Sequence, residues 1–167
     1  MHKLSIIFML LFVAFCSQIA FAQSQKEKDR AAFISNTKLL EKKPFDANAP
    51  TAREWGFKWI VATDEVTVGL CAATMKLIPE KKNKFKSELF MQFTFGMALF
   101  QLENPDKKSD EAASTVAGLE SALRAYEAMV AENDKAKNAE MDALLAKRNN
   151  GELKALVEAS KCDKKGK

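Results

Sequence analysis

Apolar positions recur through the second half of the chain with the period of a helix. Ala112, Val116, Leu119, Leu123, Tyr126 and Val130 follow one another at alternating steps of four and three. That rhythm predicts an amphipathic helix with one buried stripe. Ser109 is its expected N-cap, and Asp110 and Glu111 fall in the first turn, where the helix dipole favours acids. Upstream, LFMQFTFGMALFQL (residues 89–102) contains no charged residue. Its 14 residues fall short of the about 20 that a bilayer span needs, and Gln92, Thr94 and Gln101 interrupt it. Phe85, Leu89, Phe93, Met97 and Phe100 run down one side, with Phe90 and Leu99 widening the stripe. The run therefore predicts a helix at the centre of a bundle. Pro79-Glu80 suits its first turn and Asn104-Pro105 stops it. Gly96 is where a neighbouring helix, the one bearing Leu119 and Leu123, is expected to come closest.

Weaker periodicities fill the rest of the chain. Ala32 with Leu39, and Phe33 with Leu40, each lie seven apart. This predicts a weakly amphipathic helix from Gln25 to Lys42. KKPFDANAP (Lys42 to Pro50) reads as a turn-rich linker. Ala52, Trp55, Trp59 and Ala62 recur at spacings of three and four, predicting a helix from near Thr51 with both indoles on one stripe. Val66, Leu70, Ala73 and Leu77 extend a helical period to Pro79, with a strand over VTVGL as the alternative. Short helices are expected over Asn138 to Lys147 and Glu152 to Ser160, with Asn149-Asn150-Gly151 between them as a left-handed stop. The expected fold is all-α, a single-domain helical bundle of about five to seven helices stapled by a disulfide.

The N-terminal 22 residues have the three parts of a secretory signal. Lys3 supplies a basic n-region, Leu4 to Phe15 an apolar h-region, and Ala20-Phe21-Ala22 a small-x-small cleavage site before Gln23. The polar run QSQKEKDR follows at once, which argues for cleavage rather than anchoring, and Phe15 is too bulky to precede a lipoprotein Cys16. The expected address is the periplasm or the cell exterior. The expected divisions are a signal peptide (1–22), an N-terminal helix and linker (23–49), a bundle (50–162) and a disordered basic tail (163–167). No transmembrane segment is expected after cleavage.

Cleavage changes the chemistry that is possible. The 145-residue mature chain carries 25 Lys+Arg against 22 Asp+Glu, a net charge of +3. That near balance gives no electrostatic footprint for nucleic acid. His2 is the one histidine of the sequence and leaves with the signal, so the mature chain has no Ser–His, Cys–His or His–metal arrangement. Cys71 and Cys162 remain, an even count in an oxidising compartment, and are expected to pair. Their bond would close a loop of 91 positions, a constraint on the unfolded chain of about 4 to 5 kcal/mol.

The remaining candidates for chemistry are weak against their structural alternatives. Ser35-Asn36-Thr37-Lys38 matches the S-x-x-K pattern of penicillin-recognising enzymes, but K-T-G and S-D-N elements do not accompany it, and a solvated helix surface is expected. Lys81, Lys82, Lys84 and Lys86 could face an anionic surface or simply solubilise a greasy helix. Thr63-Asp64-Glu65 pairs two acids at a helix junction, more the signature of a cap than of acid–base catalysis. Trp55, Phe57 and Trp59 cluster beside Arg53 and Lys58, either as core or as a partner-binding patch. GMALF…ALRAY resembles a tetratricopeptide hairpin in its small residues, Gly96 and Ala98 against Ala122 and Tyr126. However, Gly96 and Ala122 stand 26 apart, too far for a repeat of about 34 residues, and no second copy follows. The general plan, a small exported helical protein with a late cysteine, is also similar to periplasmic immunity proteins, though no specific motif carries that likeness. No catalytic residue, metal ligand or cofactor is assigned. The expected function is that of an exported binding or interaction protein such as an inhibitor, immunity or accessory factor. A carrier of a small apolar ligand in a Phe/Met-lined cavity is the alternative, and a carboxylate-based hydrolase the third reading.

Overall fold

The uncharged run folds as a helix surrounded by protein, and the other elements are arranged about it. The structure, a computed structural model, describes residues 25–160. The cleavage residues Ala22 and Gln23, Cys162 and the tail at 163–167 lie outside the described residues. In chain order the α-helices are α1 (residues 25–42), α2 (Ala49–Ala62), α3 (Ala72–Met75), α4 (Lys86–Glu103), α5 (Glu111–Glu132), α6 (Ala139–Asn149) and α7 (Leu153–Ala159). Single 3-10 turns occupy Pro105–Lys107 and Asp134–Ala136. The described residues contain no strand, so the all-α bundle expected from the sequence is present. The chain divides into two compact units, Met1–Ser35 and Asn36–Lys167. Of the first, the described residues 25–35 are helical.

Helix α4 is buried on nearly every side: Leu89, Phe93, Phe95, Met97, Ala98, Leu99 and Leu102 are all core residues. Helix α5 lies against it with a stripe of small residues, Ser114, Gly118, Ser121, Ala122 and Ala125, all buried. The approach is close enough that no side chain fits at the crossing. A methyl group on Gly96 would stand 2.4 Å from the Ser121 Cβ and 3.0 Å from the Gly118 Cα. One on Gly118 would stand 2.6 Å from the Phe93 carbonyl oxygen. Gly96 is thus the point of closest approach that the sequence pattern predicted, and its counterpart is Gly118. Helices α6 and α7 close the far side of α5 with Met141, Leu144, Leu153 and Val157. Their junction is the predicted left-handed stop, with Gly151 at φ 75°.

Helix α2 joins α4 through small groups as well. Its buried residues are Ala49, Ala52 and Gly56, and the Phe95 ring occupies the space where a Gly56 side chain would be, its Cζ 2.9 Å from that Cβ position. The turn before α2 is held by Arg53, whose Nη2 donates to the Pro44 carbonyl at 2.6 Å.

Three boundaries differ from the sequence reading. Helix α4 begins at Lys86 rather than at Pro79-Glu80. Asn83 folds the intervening turn on itself, donating to the Pro79 carbonyl at 2.9 Å and accepting the Phe85 N–H at 3.2 Å, and Lys82 is left-handed at φ 53°. Asp110, not Ser109, caps α5, accepting the Ala113 N–H at 2.9 Å; its carboxylate also suits the positive end of the helix dipole. The helical period over Val66 to Leu77 fails for most of its length. Residues 66–71 run without turn or bend and only Ala72–Met75 is helical. Here Gln101 of α4 takes the place of helical partners, with its Oε1 accepting the Thr67 N–H and its Nε2 donating to the Thr67 carbonyl, both at 2.8 Å. The β-branched run Val66-Thr67-Val68 has lowered helix propensity, which favours this non-helical course.

Because the backbone itself blocks a methyl group at Gly118, Gly118→Ala must push α4 and α5 apart. The expected loss is about 2 kcal/mol or more, after any gain in helix propensity. It is read as a lower urea midpoint with unchanged slope.

Candidate functional site

Three groups of residues could carry function: a polar chain inside the bundle, a tyrosine node at its end, and the outer face of α2. The polar chain begins on α4. Gln92 Nε2 donates to the Ser121 Oγ at 2.8 Å and lies 3.2 Å from the Thr37 carbonyl. Ser121 Oγ donates to Glu41 Oε1 at 2.6 Å. Arg124 grips the same carboxylate with both arms, Nε to Oε2 at 2.9 Å and Nη2 to Oε1 at 2.8 Å. Glu41 is buried, while Arg124 reaches solvent and turns its other nitrogen toward Glu120. Hydrogen bonding to Glu41 raises the Arg124 guanidinium above its ordinary range against the opposing effect of desolvation. A buried carboxylate is tolerated when its lone pairs are filled in this way. The set ties the Thr37–Glu41 end of α1 to α4 and α5, and among the described residues the buried Thr37 Oγ1 beside it has no hydrogen-bond partner. Beside it, Gly96, Leu99, Phe100, Glu103, Ala117, Glu120 and Arg124 line an open groove of about 240 Å³. A second surface hollow of about 420 Å³ lies over Thr67, Pro105, Asp106, Lys108, Ser109 and Glu111.

The tyrosine node fixes α5 to α6. Tyr126 is buried; its O–H donates to Asp142 Oδ1 at 2.6 Å and accepts the Asn138 N–H at 2.9 Å. Asn138 caps α6 through its Oδ1 and donates its amide to the Lys81 carbonyl at 2.9 Å. Burial, followed by the Asp142 hydrogen bond, pushes the phenol up to about 12.

The aromatic cluster divides between two sides of α2. Trp55 and Trp59 share the predicted stripe and are half-buried, whereas Phe57 stands on the other side and is 52% exposed. Val61, one turn further on, is 72% exposed. The other sequence candidates are dispersed. Lys38 is exposed and pairs with Glu103 at 2.7 Å, so its amine is committed to a carboxylate. Lys81, Lys82 and Lys84 are exposed, and Lys86 pairs with Glu80. Thr63 Oγ1 accepts the Glu65 N–H at 3.2 Å, closing a turn and not capping a helix, because the next helix begins only at Ala72. Cys71 is the N-cap of α3, with the Thr74 Oγ1 3.7 Å from its Sγ. Among the described residues no cluster of His, Cys, Asp and Glu could hold a metal ion, and no helix is long and apolar enough to cross a membrane.

Sequence reasoning missed Glu41, Gln92, Ser121 and Arg124 as a set. Gln92 entered the sequence reading only as an interruption of the apolar run, and nothing local marks Glu41 as buried. Comparison with protein-family models, characterised proteins and solved structures finds no match.

The Tyr126 node makes stability pH-dependent at the alkaline end. Its folded-state pKa of about 12 exceeds the ordinary value of 10.0, so the protonated phenol favours folding below pH 10 and this contribution is lost as pH rises toward 12. Melting temperature is expected to fall across that window. Tyr126→Phe removes this part of the pH dependence and lowers stability at neutral pH by about 1 to 3 kcal/mol.

Proposed function

We propose that the chain is exported to the periplasm or the cell exterior and acts there by binding a protein partner rather than by catalysis. The observation that supports binding is the inverted face of α2. An ordinary surface helix buries its large apolar side chains and shows its small ones. Helix α2 buries Ala49, Ala52 and Gly56 and presents Phe57 and Val61 to water. The two are neighbours at i and i+4, bordered by the Glu54–Lys58 ion pair at 2.6 Å. An aromatic anchor with an apolar neighbour and a charged rim is the chemistry of an interface hot spot. Export rests on Lys3, the apolar run Leu4 to Phe15 and the Ala20-Phe21-Ala22 site. In that compartment Cys71 and Cys162 form a disulfide, which anchors the C-terminal tail beside α3. The carrier reading ranks second because Phe93, Phe95 and Met97, the side chains that would line its cavity, are packed against protein.

Intact mass of the exported protein tests the first part: a chain beginning at Gln23, lighter by two hydrogens than its reduced form, is expected. A chain retaining residues 1–22, or two free thiols, would refute it. For the second part, Phe57→Asp combined with Val61→Asp is expected to leave stability within about 0.5 kcal/mol while abolishing capture of a discrete partner from periplasmic extract. Equal capture by wild type and variant, or none by either, removes the binding role.

A further inference from the structure

The stop between α6 and α7 is built on Asn150 and Gly151. Gly151 donates its N–H to the Arg148 carbonyl at 2.9 Å, and Glu152 donates its own to the Lys147 carbonyl at 2.9 Å. These two bonds are the Schellman closure of a helix, which needs a left-handed residue just past the cap. Gly151 supplies it at φ 75°, a conformation that a residue with a Cβ adopts only under strain. Helix α7 hangs on this turn: Leu153 and Val157, just beyond it, belong to the core cluster.

The glycine that the stop requires also leaves its neighbour open to chemistry. A main-chain nitrogen attacks the side-chain amide carbon of the asparagine before it, and a Cβ on the attacking residue crowds that approach. Asn150 is the one asparagine of the sequence followed by glycine. Both residues are exposed, and no atom lies within 4 Å of where a Gly151 Cβ would stand. Asn150 has ψ −2°, so ring closure turns this torsion and opens the Gly151–Arg148 bond. The Asn150 side chain is held at the surface by its Nδ2 donating to Glu152 Oε1 at 3.2 Å, a bond exposed to water.

We propose that Asn150 is a site of spontaneous deamidation and that its reaction loosens α7. The Gly151 main-chain nitrogen gives up its proton to solvent and bonds to Asn150 Cγ. The Cγ–Nδ2 bond breaks, and the amide takes a proton from solvent and leaves as ammonia, giving a succinimide ring. One water then opens the ring at either carbonyl, yielding aspartate or isoaspartate. Either product puts a carboxylate at the C-terminal end of α6, where the helix dipole disfavours it. It also stands beside Glu152, whose cation is Lys147 at 3.5 Å. Isoaspartate carries the main chain through Cγ and so inserts a methylene before Gly151. The two closing bonds then cannot both keep their register. This inference rests neither on export nor on the α2 face.

Ageing the folded full chain in mildly alkaline buffer, followed by peptide mass spectrometry, tests the site. Asn150 is expected to lose ammonia ahead of every other asparagine, with isoaspartate, detected by enzymatic isoaspartyl methylation, as the larger product. A synthetic peptide of residues 146–154 reports the reactivity of the same sequence without the fold. Asn150 left intact in the folded chain under conditions in which the peptide reacts overturns the inference. The consequence is read by hydrogen exchange on the same samples. Aged wild type is expected to exchange faster than fresh wild type across α7, whereas Asn150→Ser, which has no amide to lose, exchanges alike before and after. Equal exchange in α7 for fresh and deamidated wild type overturns the loosening.

Discussion

Everything in the second unit is organised by the distance between α4 and α5. At Gly96 and Gly118 the two backbones approach so closely that a methyl group on either meets the other helix within 3 Å. Close approach maximises dispersion contact along both helices and brings Phe93 and Met97 directly over α5. It also decides which residues can occupy the interface. Small ones, Ser114, Ser121, Ala122 and Ala125, line the α5 side, and the bulk is supplied by α4. Helix α2 docks by the same means, Gly56 receiving the Phe95 ring. Glycine costs helix propensity, and here that cost is offset by packing that a larger residue would prevent.

The second constraint is polar. A helix buried on all sides leaves no solvent for side-chain amides and hydroxyls, so each must find a partner within the protein. Thr94 bonds back to the Phe90 carbonyl at 2.9 Å. Gln92 enters the Ser121–Glu41–Arg124 chain, and Gln101 holds both main-chain groups of Thr67. These residues interrupt the apolar run in sequence, and in space they hold Thr37 and Thr67 against the core. Their directional bonds supply the register that apolar contact alone leaves loose.

On the proposed reading, that arrangement leaves function to the periphery. The buried polar chain and the tyrosine node hold helices together, while the segment from α2 to α3 carries the exposed Phe57, Val61, Leu70 and Met75. Binding surfaces concentrate where the core has no further use for a residue. Here α2 satisfies the core with alanine and glycine, which frees its large side chains for other contacts.

By itself, the sequence determined the elements whose signal is local and repeated. The α5 stripe, the uncharged α4 run, the Asn149-Asn150-Gly151 stop and the close approach at Gly96 follow from periodicity and backbone preference, which act over a few residues. The partner of Gly96, the burial of Glu41 and the non-helical course of Val66–Leu70 were decided by tertiary structure. Glu41 is separated from Ser121 and Arg124 by 80 and 83 positions, and Thr67 from Gln101 by 34. The helical period over Val66 to Leu77 lost to a side-chain amide that local pattern cannot anticipate. The exposure of Phe57 was left open by the sequence, where the cluster read either as core or as a patch, and was decided only where Gly56 takes the contact with the Phe95 ring. Local periodicity records which face a helix could bury; which face it does bury depends on the shape of the neighbour, and that shape exists only once the chain has folded.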